Sequence, residues 1–146
     1  MTYFVDTNVL VYARDATEPA KQREAHRWLE HLWKSREGRL SFQVLQEYYV
    51  TVTSKLTPGL AAEDARDDIR ALLLWEPLAI DDRVMEGAWR IQDCYRFAWW
   101  DSLIISAAQI LGCNWLLTED LQHDQAVDGV RIVDPFAADT PRPFPA

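Results

Sequence analysis

The chain has 146 residues, 49% of them hydrophobic and 26% charged, with seven Trp, five Gly and a formal net charge of −8. That length supports one domain with a proper core, and the composition excludes a disordered or fibrous chain; no apolar run reaches the about 18 residues of a membrane span and no signal-like leader opens the sequence, so a soluble cytoplasmic protein is expected. Nucleic-acid binding through bulk charge is excluded as well, because residues 1–60 hold eight Lys and Arg against seven Asp and Glu and the remainder holds seven against sixteen.

Tyr3 to Val5 reads as a short buried strand and Asn8 to Arg14 as a short helix after it. Pro19 suits the first turn of a longer helix in which Ala25, Trp28, Leu29, Leu32 and Trp33 recur at helical spacing as far as about Arg36. After Gly38, Arg39 to Phe42 can make a second strand, and Val44 to Leu56 a helix that stops before Pro58-Gly59. Ala61 to Trp75 is amphipathic, predicted to bury Ala65, Ile69, Leu72 and Leu73 while Glu63, Asp64, Asp67 and Asp68 face water. Pro77 to Ile80 reads as a third strand, and a helix from about Asp82 to Phe97 carries Val84, Ala88, Ile91 and Tyr95. Asp101 opens a helix, Ser102 to Leu111, that ends at Gly112 as a cap. Trp115 to Leu117 and Val130 to Val133 supply two more strands, and the Pro-rich end of the chain has no periodic pattern. Strands separated by helices throughout predict an α/β fold with a mostly parallel sheet covered on both faces, and ligands in such sheets bind beyond the carboxyl ends of the strands.

Four acids stand in apolar sequence. Asp6 follows the first strand, Glu47 lies within Val44 to Val50, Asp101 sits between Trp99-Trp100 and Ser102-Leu103, and Asp120 comes just after Asn114 to Thr118. A desolvated carboxylate with no adjacent Lys or Arg calls for a cation, and one shared ion is the economical solution. Mg²⁺ and Mn²⁺ take oxygen ligands, so the set predicts a metal-assisted phosphoryl-transfer site. Asp6 and Asp101 are expected as inner ligands, Asp120 as a ligand directly or through water, and Glu47 as the group that orients or deprotonates the attacking water. Asn8, Thr118 and Ser102 are expected to hold these acids apart by neutral hydrogen bonds.

Other chemistries fit less well. His26 and His31 have no ligand-like pattern around them, which argues against a metal-free, histidine-based ribonuclease, while His123 could stand at the edge of the site. Cys94 and Cys113 form no CxxC pair and are expected as two buried thiols. There is no Gly-rich phosphate loop and no GxSxG. Asn8 replaces the second acid of an aspartyl-phosphate motif, and a receiver domain would want a Lys after a late strand. A binding module that keeps the fold without cutting is the alternative from a different class.

Asp6-Thr7-Asn8-Val9-Leu10-Val11-Tyr12, then Gln46-Glu47-Tyr48, then Trp100-Asp101-Ser102-Leu103-Ile104, then Leu117-Thr118-Glu119-Asp120-Leu121-Gln122-His123 resemble, in order, the motifs of the PIN-domain nucleases. The wording is most similar to the VapC-type toxins, and Val133-Asp134-Pro135-Phe136 resembles the end of that family's last strand. The resemblance implies a three-layer α/β/α sandwich over residues 1–136 with a tail at 137–146, Mg²⁺- or Mn²⁺-dependent endoribonuclease activity, a homodimer and a cognate antitoxin. It places Asp120, among Glu119, Asp120 and Asp124, at the fourth acidic position. The antitoxin is expected to lie across the helices bearing Trp28 and Trp33 and bearing Tyr48, Tyr49 and Val52, whose aromatic residues would offer it a surface near Glu47.

Overall fold

The computed structural model describes residues 1–146. Five strands form one sheet: β1 (Tyr3–Val5), β2 (Gly38–Arg39), β3 (Trp115–Leu117), β4 (Ala126–Val127) and β5 (Val130–Val133), in the order β2-β1-β3-β5-β4. β1 pairs in parallel with β2 and β3, β3 pairs in parallel with β5, and only β4 runs antiparallel. Six α-helices accompany them: α1 (Thr7–Tyr12), α2 (Pro19–Ser35), α3 (Phe42–Val50), α4 (Ala62–Leu72), α5 (Asp82–Tyr95) and α6 (Trp99–Ile110). The α6 helix contacts β3 and β5 and pairs with α5, whereas α1 contacts α2 and α3, and α3 contacts α4. The result is a three-layer α/β/α sandwich, as expected.

All three residues of β1 are buried, and the register sets Val5 beside Leu117. The chain leaves β1 to reach β2 on one side, while β3 lies on the other. The carboxyl ends of β1 and β3 therefore open side by side where the crossovers diverge, the place at which such sheets hold ligands.

Several elements differ from the sequence pattern. Pro77 to Ile80 is not a strand, since only Leu78 makes a bridge, to Ser41, with Leu78 N–H donating to Leu40 O (3.1 Å) and Phe42 N–H to Leu78 O (3.0 Å). Pro77 has no N–H to give, and the partner segment turns helical at Phe42, so the ladder cannot grow. For the same reason β2 ends at Arg39 instead of running to Phe42. After α3 the helix widens into a π turn, Thr51–Lys55, where Leu56 N–H reaches back to Thr51 O (2.9 Å). The Thr53 hydroxyl donates to Tyr49 O (2.6 Å), a back-bond that competes with the regular ladder. After α4 the chain tightens into a 3₁₀ turn, Leu73–Trp75, which shifts the helical phase and exposes Leu73, so that Trp75 instead packs against Trp33.

The exposures of single residues also depart from expectation in places. Asp68 does not simply face water: it takes two hydrogen bonds from Arg14 and one from the Tyr48 hydroxyl. Cys113 is buried, but Cys94, in the last turn of α5, is exposed. Trp28, Tyr48 and Val52 belong to the core, leaving Trp33 as the exposed aromatic of α2. Residues after β5 form turns that stay on the body, with Phe144 edge-on to Trp28 and Arg142 paired with Glu24. No helix is long and apolar enough to cross a membrane.

Candidate active site

Asp6 caps α1, its Oδ1 accepting Thr7 N–H at 2.7 Å and its Oδ2 accepting the Thr118 hydroxyl at 2.9 Å. The residue is buried, and that burial, opposed by these two donors and reinforced by Glu47 and Asp120, pushes its carboxyl up to about 7. Thr118 continues from β3, and its oxygen also accepts Asn8 Nδ2 (2.9 Å) and the Asp120 N–H (3.1 Å). Asn8 Nδ2 further donates to Asp120 Oδ2 at 3.0 Å. One hydroxyl and one amide thus stitch the end of β1 to the end of β3 and set the separation of Asp6 and Asp120.

Glu47 comes from α3. Its Oε2 accepts the Thr7 hydroxyl (2.8 Å) and its Oε1 accepts Gln43 Nε2 (2.8 Å), four residues earlier on the same helix face. Gln43 Nε2 also donates to Trp100 O at 3.2 Å, tying α3 to the first turn of α6. Asp101 lies in that first turn, half-buried, and its carboxyl is raised by burial and then by Asp120 and Glu47. Asp6 and Asp101 each feel both Glu47 and Asp120, so the four acids predicted from sequence are brought into one neighbourhood, each delivered by a different element. None of the chain's ion pairs includes any of them. Glu47 and Asp120 line a cleft of about 880 Å³ together with Thr7, Asn8, Gln43 and Trp100.

The neighbours of Asp120 are committed elsewhere. Glu119 accepts Lys21 Nζ (2.8 Å) and the Tyr12 hydroxyl, and Asp124 pairs with Arg131 (2.6 Å). His123 turns toward the tail, accepting Asp134 N–H at Nδ1 and meeting Asp139 through Nε2. Ser102 does not brace the acids, because its hydroxyl donates to Ala98 O within α6. Thr7 and Gln43 do brace them. Gln43 lies one helical turn before Glu47, a spacing that could have indicated it from sequence. No three His, Cys, Asp or Glu side chains stand close enough to form a closed metal cage. An all-oxygen donor set of this kind suits a hard divalent cation.

Comparison with known proteins gives relatives by fold. A toxin–antitoxin complex from Klebsiella pneumoniae aligns with TM-score 0.59 at 20% identity over 92% of this chain and 98% of that one. VapC20 of Mycobacterium tuberculosis, described as a sarcin-ricin loop cleaving toxin, aligns with TM-score 0.58 at 19% identity over 82% and 92%. VapBC2 from Rickettsia felis, bound to a DNA fragment from its promoter, aligns with TM-score 0.62 at 17% identity over 90% and 97%. No curated protein matches at the level of sequence. The sequence model of the PIN domain matches residues 3–128, from the first residue of β1 to the turn after β4, a span that contains all four acids. The chain belongs to the PIN domain family.

Proposed function

We propose that this protein is a Mg²⁺- or Mn²⁺-dependent endoribonuclease and the toxin of a toxin–antitoxin pair. The observation that carries the proposal is the gathering of Asp6, Glu47, Asp101 and Asp120 at one end of the sheet without a Lys or Arg paired to any of them. Burial and mutual repulsion raise both Asp6 and Asp101, a cost that a scaffold would have no use for and that a divalent cation removes. An all-oxygen donor set suits hard cations. When bound, such an ion neutralises charge on the scissile phosphate and lowers the pKa of water beside it. Asp6, Asp101 and Asp120 would hold it, directly or through water. Glu47, with each oxygen already fixed by one donor, orients the attacking water and takes its proton. Asn8 and Thr118 keep the two aspartates aimed.

The relatives support RNA as substrate and a protein as partner, since one is described as cleaving the sarcin-ricin loop and another is a toxin–antitoxin complex. The proposal includes a homodimer in the cytoplasm with a cognate antitoxin, and residues 1–136 as the nuclease unit. Incubating the purified protein with total cellular RNA tests it. Cleavage should need Mg²⁺ or Mn²⁺ and leave 5′-phosphates, the polarity of an in-line attack by water. Undiminished cutting in excess chelator, or a cyclic phosphate end, rejects it.

A further inference from the structure

Trp99 and Trp100 are adjacent on α6 and meet different fates. Trp99 is half-buried and stacks on Trp89 of α5, with ring centroids 6.4 Å apart. Trp100 is 65% exposed, lines the cleft that holds Glu47 and Asp120, and directly precedes Asp101. Its indole forms no aromatic pair with the rest of the chain, which leaves its face free to stack on a ligand. Its main chain is held in place, because Gln43 Nε2 donates both to Trp100 O (3.2 Å) and to Glu47 Oε1 (2.8 Å). One amide thus sets the position of the indole-bearing backbone relative to a candidate catalytic acid.

Lys55, at the end of the π turn, lines the same cleft and enters no ion pair. The cleft therefore offers an exposed aromatic face, an unpaired cation and a carboxylate cluster. These match the three parts of a nucleotide chain that must be met at once: a base, a neighbouring phosphate and the phosphate under attack. In a duplex the face of an internal base is already stacked, so only an unpaired base could meet the indole.

We propose that Trp100 is a substrate-positioning residue that stacks on an unpaired base flanking the scissile phosphate, with Lys55 meeting an adjacent phosphate. This assignment rests on the nuclease function proposed above. Stacking acts equally before and during the chemical step, so its loss raises KM and spares kcat.

The test uses the full-length protein and a minimal RNA hairpin spanning a cut site mapped on total RNA. Trp100→Ala should raise KM about 10-fold with little change in kcat, and Trp100→Phe should retain most of the affinity. Abasic nucleotides are then placed one at a time on either side of the cut. One of them should cost the wild-type enzyme about as much as the Ala variant loses, and the two changes should not compound. A Trp100→Ala enzyme indistinguishable from wild type, or losses that multiply at every abasic position, overturns the assignment. The second result is also what a role for Trp100 in contact between two copies of the chain would give, and sedimentation of the variant would then show a changed association state. A wild-type protein that cuts no RNA overturns the nuclease function itself and this assignment with it, whereas cutting with multiplying losses overturns the Trp100 role alone.

Discussion

At Asp6 the energetics of a single residue follow from its burial. Its carboxyl, ordinarily near 3.8, is pushed up to about 7 by burial, even though two donors favour the charged form. The folded, metal-free protein therefore holds a proton that the unfolded chain has lost between those two values. Raising the pH from about 4 to about 7 takes stability away from the metal-free fold, and above about 7 the loss is complete. Asp6→Asn removes this titration, so the difference in melting temperature between wild type and variant should grow across that window without Mg²⁺ and shrink when Mg²⁺ is added; a difference flat with pH would contradict it. Asp6→Asn and Asp101→Asn should each lose more activity than the about 10–100-fold typical of a residue that only orients a ligand, while the metal-free fold is as stable as wild type or more so. A variant with full activity would mean that the wrong acid has been assigned. Asn8 and Thr118 could be expected as supports because they flank the acids in sequence. Ser102 flanks Asp101 just as closely, yet turns back to its own helix, a difference set by the helical i−4 carbonyl that only the fold makes available.

At the scale of elements, α5 and α6 form the most extensive helix pair, and their contact depends on Gly87. A Cβ there would lie 2.3 Å from Ser106 Oγ, whose hydroxyl donates to Val84 O at 2.8 Å in a fully buried place. Gly87→Ala should cost about 1–3 kcal/mol by overpacking and by displacing that hydrogen bond, read as a lower urea midpoint with an unchanged slope. Because α6 carries Asp101 and Trp100, the variant should also lose activity, whereas the neighbouring exposed Glu86→Ala should do neither. The β4–β5 hairpin was legible in principle, since Asp128-Gly129 between Val127 and Val130 is a hairpin turn signal, and both residues take positive φ (45° and 92°). Two-residue strands carry too little alternation to be seen by periodicity. The π turn at Thr51–Lys55 could not be read at all, because it shares the composition of an ordinary helix end and is decided by where Leu56 and Thr53 find acceptors.

For the whole molecule, the unpaired negative charge at the end of the sheet sets, under the function proposed above, what an inhibitor would have to supply. An antitoxin segment that places a basic side chain among Asp6, Asp101 and Asp120 would replace the charge of the metal with its own. Trp28, Tyr48 and Val52 are core and offer it little surface, whereas Trp33 on α2 is exposed. Inhibition should weaken as Mg²⁺ is raised, and an Ala at the partner's basic residue should abolish that competition; potency independent of metal would show that inhibition works from elsewhere. The sequence by itself determined the α/β class and the positions of β1, β3, β5 and the long helices, and it marked four acids as candidates, because burial patterns at helical and strand spacing and charged residues in apolar runs are properties of local sequence. Only the tertiary structure decided that Asp6 and Asp120, 114 positions apart, face each other across Asn8 and Thr118, that Glu119 and Asp124 are neutralised by Lys21 and Arg131, and that Trp100 opens into the cleft while Trp99 packs away. Parallel pairing of β1 with β3 sets the first of those relations and the packing of α6 on α5 the last, and residues on either side of such contacts carry no mark of one another in the chain.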